Sequence, residues 1–263
     1  MLIFTTDKKR LRAHFAKDPA LFAFHIGDLD DFFFPDCVWP AVFGAKSGID
    51  DVLLTYMGGD TPTLQAFGLS ERFPDLLRAY LPIAPKRFFC HYQKQYRAIF
   101  REYAGEKSLG SHLKMKLDET EFGRCQKHTA DDSRLLRLDS SHERPLRELY
   151  AAAYPDGYFT PRMLQTGRFF GYLDKGAIVA VAGVHVVSDT ERIAALGNIA
   201  TRPDYRGQGL ATLVTRRLAA ELVAESKLVC LNVKADNAPA LACYRKLGFV
   251  AVHEYEEAVF ELK

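Results

Sequence analysis

The feature of this 263-residue chain that most restricts its fold is a glycine-bearing turn between a strand pattern and a helix pattern. Apolar residues over 193–201 predict a strand, and apolar residues recur at helical spacing over 210–222. Gly207 and Gly209 lie between them and let an anion approach the backbone closely. The free N–H groups and the dipole of a helix N-terminus attract anions, and Arg206 adds a positive charge. The segment therefore predicts a phosphate site after a strand.

The turn does not by itself identify the phosphate ligand. No Gly-Lys-Ser/Thr sequence closes it, as a Walker loop requires, and it lacks the G-x-G-x-x-G spacing of a dinucleotide-binding fold. On these residues alone, a plain structural turn is the alternative interpretation.

The second half of the chain alternates between strand and helix patterns. The predicted strands cover residues 134–138, 168–173, 177–187, 193–201, 228–233 and 250–262, and the predicted helices cover 142–154, 161–166, 210–222 and 238–247. The run 228–233 is short and mostly apolar, as in a buried strand that pairs in parallel with the strand before the helix. The predicted fold class is α/β with a mixed sheet.

Two segments match the signatures of one family in the expected order. Arg206-Gly207-Gln208-Gly209-Leu210-Ala211 resembles the pyrophosphate motif R/Q-x-x-G-x-G/A of the GNAT acyltransferase superfamily. Residues 237–249 resemble its second signature, N-x-x-A-x-x-x-Y-x-x-x-G-F. The resemblance implies that residues 133–263 form a GNAT domain, in which two central strands splay apart around the pantetheine arm of acetyl-CoA.

The same resemblance implies roles for residues that bind the cofactor. Ile199 and Thr201 offer backbone N–H groups to the pantetheine arm and to the thioester carbonyl, where they stabilise the oxyanion of the tetrahedral intermediate. Asn237 holds the cofactor through its amide. The pyrophosphate is bound by Arg206, Gly207, Gln208, Gly209 and Ala211.

Two residues are candidates for proton transfer. Tyr244 matches the tyrosine that in many relatives protonates the departing thiolate; a core aromatic is the alternative interpretation. Many relatives carry a glutamate base where this chain has Gly197-Asn198, so no carboxylate matches. The base is then an ordered water or His185 on the neighbouring strand, whose ordinary pKa near 6.5 suits the task. A structural histidine is the alternative interpretation.

The N-terminal half has the helix-then-strands order of a GNAT unit. A helix is predicted over 8–31, a strand pair over 38–43 and 51–56 with a turn at 44–48, a third strand over 63–68 and a helix over 71–81. No second glycine motif occurs at residues 68–72. We interpret residues 1–120 as a degenerate GNAT-like lobe that shapes the acceptor pocket, followed by a linker within 118–132 and leaving one cofactor site per chain.

Composition excludes several classes of protein. The chain has 35 Lys and Arg against 33 Asp and Glu, so it lacks the basic field of a nucleic-acid-binding protein. Its five cysteines are widely spaced without a C-x-x-C pair, so no metal site or disulfide framework is indicated. The absence of a long apolar run or signal-peptide pattern predicts a cytoplasmic protein that does not bind membranes.

The function implied by the resemblance is transfer of an acetyl group from acetyl-CoA to a primary amine of a small molecule, amino acid or peptide, by direct attack in a ternary complex. A noncatalytic acyl-CoA-binding or regulatory module is the alternative, because the carboxylate base is missing. No motif indicates the acceptor, the preferred acyl chain or the oligomeric state.

Overall fold

The structure is a computed structural model that describes residues 2–44, 48–125, 132–155, 157–225 and 227–263. The predicted turn at 44–48 and linker at 118–132 therefore lie partly outside the described residues. The chain forms two compact units. Unit 1 comprises Met1–Lys114, Lys234–Asp236 and Val252–Lys263, and unit 2 comprises Met115–Val233 and Asn237–Ala251.

Unit 1 contains short helices and strands from the N-terminal half of the chain. Its strands are β1 (Ile3–Phe4), β2 (Cys37–Val38), β3 (Pro40–Phe43), β4 (Ile49–Val52), β5 (Leu54–Tyr56), β6 (Thr63–Ala66), β7 (Arg87–Tyr92) and most of β8 (Ala104–Leu117). Its helices are α1 (Lys8–Phe15), α2 (Ala23–Gly27), α3 (Phe73–Tyr80) and α4 (Arg97–Tyr103).

Unit 2 contains the longer elements. They are α5 (Glu119–Cys125), β9 (Leu135–Arg137), α6 (Glu143–Ala153), a 3-10 helix (Pro161–Thr166), β10 (Phe170–Asp174), β11 (Ala177–Ser188), β12 (Ile193–Thr201), α7 (Leu210–Ala224), β13 (Leu228–Lys234), α8 (Ala238–Lys246) and the start of β14 (Phe249–Leu262). Most of β14 belongs to unit 1, so the C-terminal strand returns to the N-terminal unit.

Both units are built on mixed sheets, which confirms the predicted α/β class. In unit 1 the strand order is β2-β5-β6-β7-β14-β8, beside a small sheet β1-β3-β4. In unit 2 the order is β13-β12-β11-β10-β9. Each unit contains a parallel pair, β6 with β7 and β12 with β13, and each of these pairs is joined through a helix. The predicted parallel pairing of 228–233 is confirmed.

The predicted single helix over residues 8–31 is wrong. Helix α1 ends at Phe15, and α2 begins only at Ala23. Pro19 follows Asp18 in the gap, and a proline disfavours helical backbone in the residue before it. The Asp18 carboxylate instead accepts a hydrogen bond from the Leu21 N–H at 3.0 Å. The local turn ends the helix although the apolar pattern continues.

The predicted strand pair 38–43 with 51–56 is only partly right. Its inner halves, β3 and β4, pair in the small sheet, whereas β2 and β5 pair in the larger sheet. Trp39 lies between β2 and β3 with 1% of its surface exposed. Each chain segment therefore changes sheets at one residue. Periodicity cannot reveal this change, because both halves retain an apolar strand pattern.

No helix in the described ranges is long and apolar enough to cross a membrane.

Candidate functional site

The parallel strands of unit 2 diverge, as predicted. Their register runs from Ile193 opposite Leu228 to Leu196 opposite Leu231 and ends there. Both strands continue beyond these pairs, β12 to Thr201 and β13 to Lys234. Beyond these pairs, the facing edges of β12 and β13 no longer bond to each other, so backbone N–H and C=O groups on these two edges are available to a ligand.

A bulge in β12 lies directly after the point of divergence. Gly183 pairs with Gly197 and Val181 with Ala200, so β12 has one more residue than β11 between these pairs. Asn198, inside the bulge, has a φ of 55°, a left-handed conformation that asparagine tolerates better than most residues. Such a bulge redirects backbone groups away from the regular ladder.

The glycine turn leaves the N-terminus of α7 open. Gly207 and Gly209 both have a φ of 78°, and a β-carbon added to either would contact nothing within 4 Å. Gly209 is the N-cap residue, and no side chain caps the helix. The first N–H of the helical ladder is that of Leu213, which donates to Gly209 O at 3.0 Å. The N–H groups before it face an exposed turn suited to an anion.

Arg206 holds this turn in place through its guanidinium group. Its Nε donates to Thr201 O at 3.3 Å, and its Nη2 donates to Ala153 O at 3.2 Å. The turn is thereby tied to the end of β12 and to the C-terminal end of α6. The sequence predicted a phosphate-binding role for Arg206; this structural role was missed. The side chain has five N–H donors, so both roles are compatible.

Helix α8 is capped by Asn237 and buries Tyr244. The Asn237 side-chain oxygen accepts from Ala240 N at 3.2 Å, which leaves its amide nitrogen for a ligand. Tyr244 is 7% exposed, its ring lies 6.0 Å from that of Phe249, and burial raises its pKa well above the ordinary value. Its phenol therefore stays protonated at neutral pH.

A side-chain contact joins α8 to the phosphate turn. Thr212 in the first turn of α7 lies with its Oγ1 3.2 Å from Sγ of Cys243. Tyr244 follows Cys243 in α8, so the candidate acid is anchored next to the helix that carries the turn. Sequence reasoning missed this contact, because neither residue stands at a specified position of the two signatures.

His185 occupies the space in front of Gly197. A β-carbon added to Gly197 would lie 2.1 Å from Nε2 of His185. His185 is the extra residue of a second bulge, between the pairs Val184–Leu196 and Val186–Ala195. Desolvation lowers the pKa of His185 to about 4, so its imidazole is neutral at pH 7. The ring therefore fills the place of a side chain at position 197, where many relatives carry the glutamate.

Two buried polar atoms on the divergent strand ends lack partners. Oγ1 of Thr201 on β12 and Nδ2 of Asn232 on β13 have no hydrogen-bond partner within the described part of the chain. A buried polar group without a partner requires an explanation, and a polar ligand between the strand ends is one. Asn232 was not predicted from the sequence. In the same described ranges, no three His, Cys, Asp or Glu side chains are placed to hold a metal ion.

The fold resembles solved structures over nearly the whole chain. A Drosophila protein superimposes with a TM-score of 0.76 at 13% identity, covering 99% of this chain and 98% of that one. A tandem GNAT protein from the clavulanic acid biosynthesis pathway superimposes with a TM-score of 0.60 at 16% identity, covering 99% and 98%. At these identities the likeness shows the fold, and it includes the N-terminal half.

Sequence comparison identifies the family. The sequence model of the acetyltransferase (GNAT) family matches residues 135–249. The [ribosomal protein bS18]-alanine N-acetyltransferase of Escherichia coli strain K12 is 36% identical over 105 residues, which are 39% of this chain and 69% of that relative. The chain therefore belongs to the GNAT acetyltransferase family and is an N-acetyltransferase.

Proposed function

We propose that this enzyme transfers an acetyl group from acetyl-CoA to a primary amine of a small molecule, amino acid or peptide, by direct attack in a ternary complex. The observation that carries the proposal is the open N-terminus of α7, which follows the part of β12 that no longer pairs with β13. One element then presents donors for a pyrophosphate, and the other presents donors for the arm that carries the thioester.

The residues present fit coenzyme A. Backbone N–H groups of Gly207, Gln208, Gly209 and Ala211 surround the pyrophosphate, and the Arg206 guanidinium adds charge beside it. Ile199 and Thr201 contact the pantetheine arm, and Asn237 donates through its amide nitrogen. The open space at both glycines and the unpartnered Thr201 hydroxyl support this assignment.

His185 is proposed to accept the proton of the attacking amine. Its ring lies where a side chain at position 197 would lie, and its pKa of about 4 keeps it unprotonated at neutral pH. It is a weak base, so it cannot deprotonate a free ammonium ion efficiently. The amine N–H becomes more acidic as its nitrogen bonds to the carbonyl carbon, and His185 accepts the proton at that stage.

Tyr244 is proposed to donate to the departing sulfur. Its raised pKa keeps the phenol protonated, so it always carries the hydrogen needed for this bond. The raised pKa also makes the phenol a weaker acid, so complete transfer of its proton to a free thiolate is unfavourable. The phenol then acts mainly by hydrogen bonding to charge that develops on sulfur in the transition state.

The first acceptor to test is the N-terminal amine of a peptide that begins with alanine. The support is the 36% identity over 105 residues with an enzyme named for an alanine residue of ribosomal protein bS18. Free amino acids and small primary amines form the rest of the acceptor panel.

Calorimetric titration with acetyl-CoA, followed by assays on this panel, tests the proposal. We expect saturable binding of acetyl-CoA at one site. This binding should be lost in Gly209→Glu, because the new carboxylate occupies the phosphate position and repels the phosphate charge. Gly176→Glu is the matched control, since Gly176 also has a φ near 80° and open space around its Cβ position but lies in the β10–β11 turn. Absence of wild-type binding refutes the proposal. Binding without transfer to any amine favours the noncatalytic acyl-CoA-binding module.

A further inference from the structure

The Asn198 bulge is held from outside the sheet by a phenol of α6. The hydroxyl of Tyr150 donates to the backbone oxygen of Asn198 at 3.0 Å. Tyr150 is 6% exposed and Asn198 is 3% exposed. A hydrogen bond to a buried bulge carbonyl replaces the ladder partner that the bulge removes. Neither sequence signature includes Tyr150.

The surroundings of Tyr150 keep it in the donating state. Its ring packs 4.9 Å from that of Phe159, which limits its rotation. Burial raises the pKa of Tyr150 well above the ordinary value, so the hydroxyl keeps its proton at neutral pH. The Asn198 side chain adds a second anchor, because its Nδ2 lies 3.2 Å from Sδ of Met163.

Fixing this carbonyl also fixes the next N–H. The oxygen of Asn198 and the N–H of Ile199 belong to one planar trans peptide unit, in which they point in opposite directions. A donor that holds the oxygen toward α6 therefore turns the Ile199 N–H away from α6. The chain has no freedom to redirect that N–H unless the Tyr150 bond breaks.

We propose that Tyr150 is a positioning residue for acetyl transfer: it aims the Ile199 N–H at the thioester carbonyl by holding the opposite end of the same peptide. This inference rests on the proposed function. A donor aimed in advance at a developing oxyanion lowers the barrier without reorganisation in the transition state. Tyr150 does not itself touch the reacting atoms.

Infrared difference spectroscopy with acetyl-CoA labelled with ¹³C at the carbonyl tests the inference directly. In the wild type, a hydrogen bond from Ile199 shifts the bound carbonyl stretch below its frequency in solution. In Tyr150→Phe we expect that shift to shrink or vanish while affinity for acetyl-CoA stays within about twofold. The expected fall in acetyl transfer is about tenfold, short of the roughly 10² to 10³ lost when an oxyanion donor is removed outright.

Tyr172→Phe is the matched control. Tyr172 is also buried in unit 2, at 5% exposure, but lies in β10 and does not contact the bulge. It should keep the wild-type carbonyl shift. A purely structural role for Tyr150 would lower stability and leave the frequency unchanged, so a wild-type frequency in Tyr150→Phe overturns the inference. A bound wild-type carbonyl with no shift also overturns it.

Two further outcomes are distinguishable. If the wild type binds no acetyl-CoA, the proposed function itself fails; if it binds and the variants share one frequency, only the role of Tyr150 fails. Should Tyr150→Phe not fold, Phe159→Leu replaces it, because this change loosens the Tyr150 ring and keeps its hydroxyl. A reduced shift in Phe159→Leu supports the inference, and a full wild-type shift contradicts it.

Discussion

The two units share a strand, turn, helix and parallel strand, yet they use the turn in opposite ways. In unit 2 the turn before α7 is open, and a β-carbon at Gly207 or Gly209 would meet nothing. In unit 1 the turn between β6 and α3 already holds an anion from the chain itself. Its N–H groups at Leu69 and Ser70 donate to the carboxylate of Asp51 at 2.8 and 2.9 Å.

Asp51 is an internal substitute for a bound anion. It lies in β4 with no exposed surface, and the Ser70 hydroxyl also donates to it. Next to it, the ring of Phe73 fills the space over Gly68, where an added β-carbon would lie 2.1 Å from Cγ of the phenylalanine. The turn in unit 1 therefore has neither free donors nor free space.

The strands differ in the same way. In unit 1, β6 pairs with β7 along its whole length, from Thr63 opposite Phe89 to Ala66 opposite Tyr92. In unit 2, β12 and β13 separate after Leu196. A shared order of elements thus produces a ligand site only where the donors and the strand ends are left unsatisfied. Fold alone does not determine whether a site exists.

The largest expected effect tests whether unit 2 alone binds acetyl-CoA. Gly209→Glu should reduce affinity by at least about 100-fold, since about 2.7 kcal/mol corresponds to that factor and the new carboxylate both blocks and repels a phosphate. Titration should give one site per wild-type chain and none per variant chain. A second site in the wild type, or a site of wild-type affinity that remains in Gly209→Glu, would show that acetyl-CoA also binds away from the α7 turn.

Removing Asp51 should strongly destabilise unit 1. Asp51→Ala removes the charged acceptor of the Leu69 and Ser70 N–H groups, and a hydrogen bond to a charged group contributes about 1.5–3 kcal/mol, so the free energy of unfolding should fall by about 3 kcal/mol or more. Denaturant titration measures this change. Asp50→Ala is the control, because Asp50 forms a partly exposed ion pair with Arg72 that contributes less than about 1 kcal/mol.

The Asp51→Ala variant also offers a gain of function. If Asp51 is an internal anion, inorganic phosphate should raise the melting temperature of Asp51→Ala more than that of the wild type, because phosphate supplies the missing acceptor. Equal effects of phosphate on both proteins would show that the turn in unit 1 does not favour a free anion.

Tyr244→Phe should have a smaller effect, confined to catalysis. We expect turnover to fall about 10- to 100-fold, with acetyl-CoA affinity unchanged. This loss is no more than the lower end of the range for general acid catalysis, because the phenol acts mainly by hydrogen bonding. The corresponding helix of unit 1, α4, buries Phe100, which has no hydroxyl, so a phenyl ring is compatible with this fold. An equal loss in binding and turnover would indicate that Tyr244 acts by packing.

The sequence predicted the elements of unit 2 well, because their hydrophobic periodicity and the turn residues between them are local features of the sequence. The strand over 193–201 matches the structure residue for residue, and the helix predicted over 161–166 is a 3-10 helix with the same bounds. The exchange of β14 into unit 1 could not be predicted, since its apolar pattern fits pairing in either unit. The Asp51 contact was equally hidden, because it joins residues about 18 positions apart through a carboxylate that no motif includes.

The candidate site shows the same division between local and nonlocal information. Gly207 and Gly209 could be recognised because a tight turn at a helix start needs residues of this type in sequence order. Tyr150 and Asn232 could not, because Tyr150 acts across 48 residues of sequence and Asn232 is distinguished only by burial of an unpartnered amide. A residue that positions a group through a tertiary contact belongs to no regular spacing in the sequence, so sequence patterns do not reveal it.

The smallest expected effect compares one histidine from each unit, each with a pKa that desolvation lowers. Desolvation lowers the pKa of His185 to about 4 and that of His25 well below its usual range. In the unfolded chain both titrate near 6.5, so below that pH the unfolded state binds more protons and stability falls. For His185 this loss develops as pH falls from about 6.5 to about 4 and is complete below it. His185→Gln and His25→Gln should each flatten the measured stability between pH 6.5 and 4. Only His185→Gln should also lower acetyl transfer at pH 7, and an equal loss of transfer in both variants would show that His185 serves packing as His25 does.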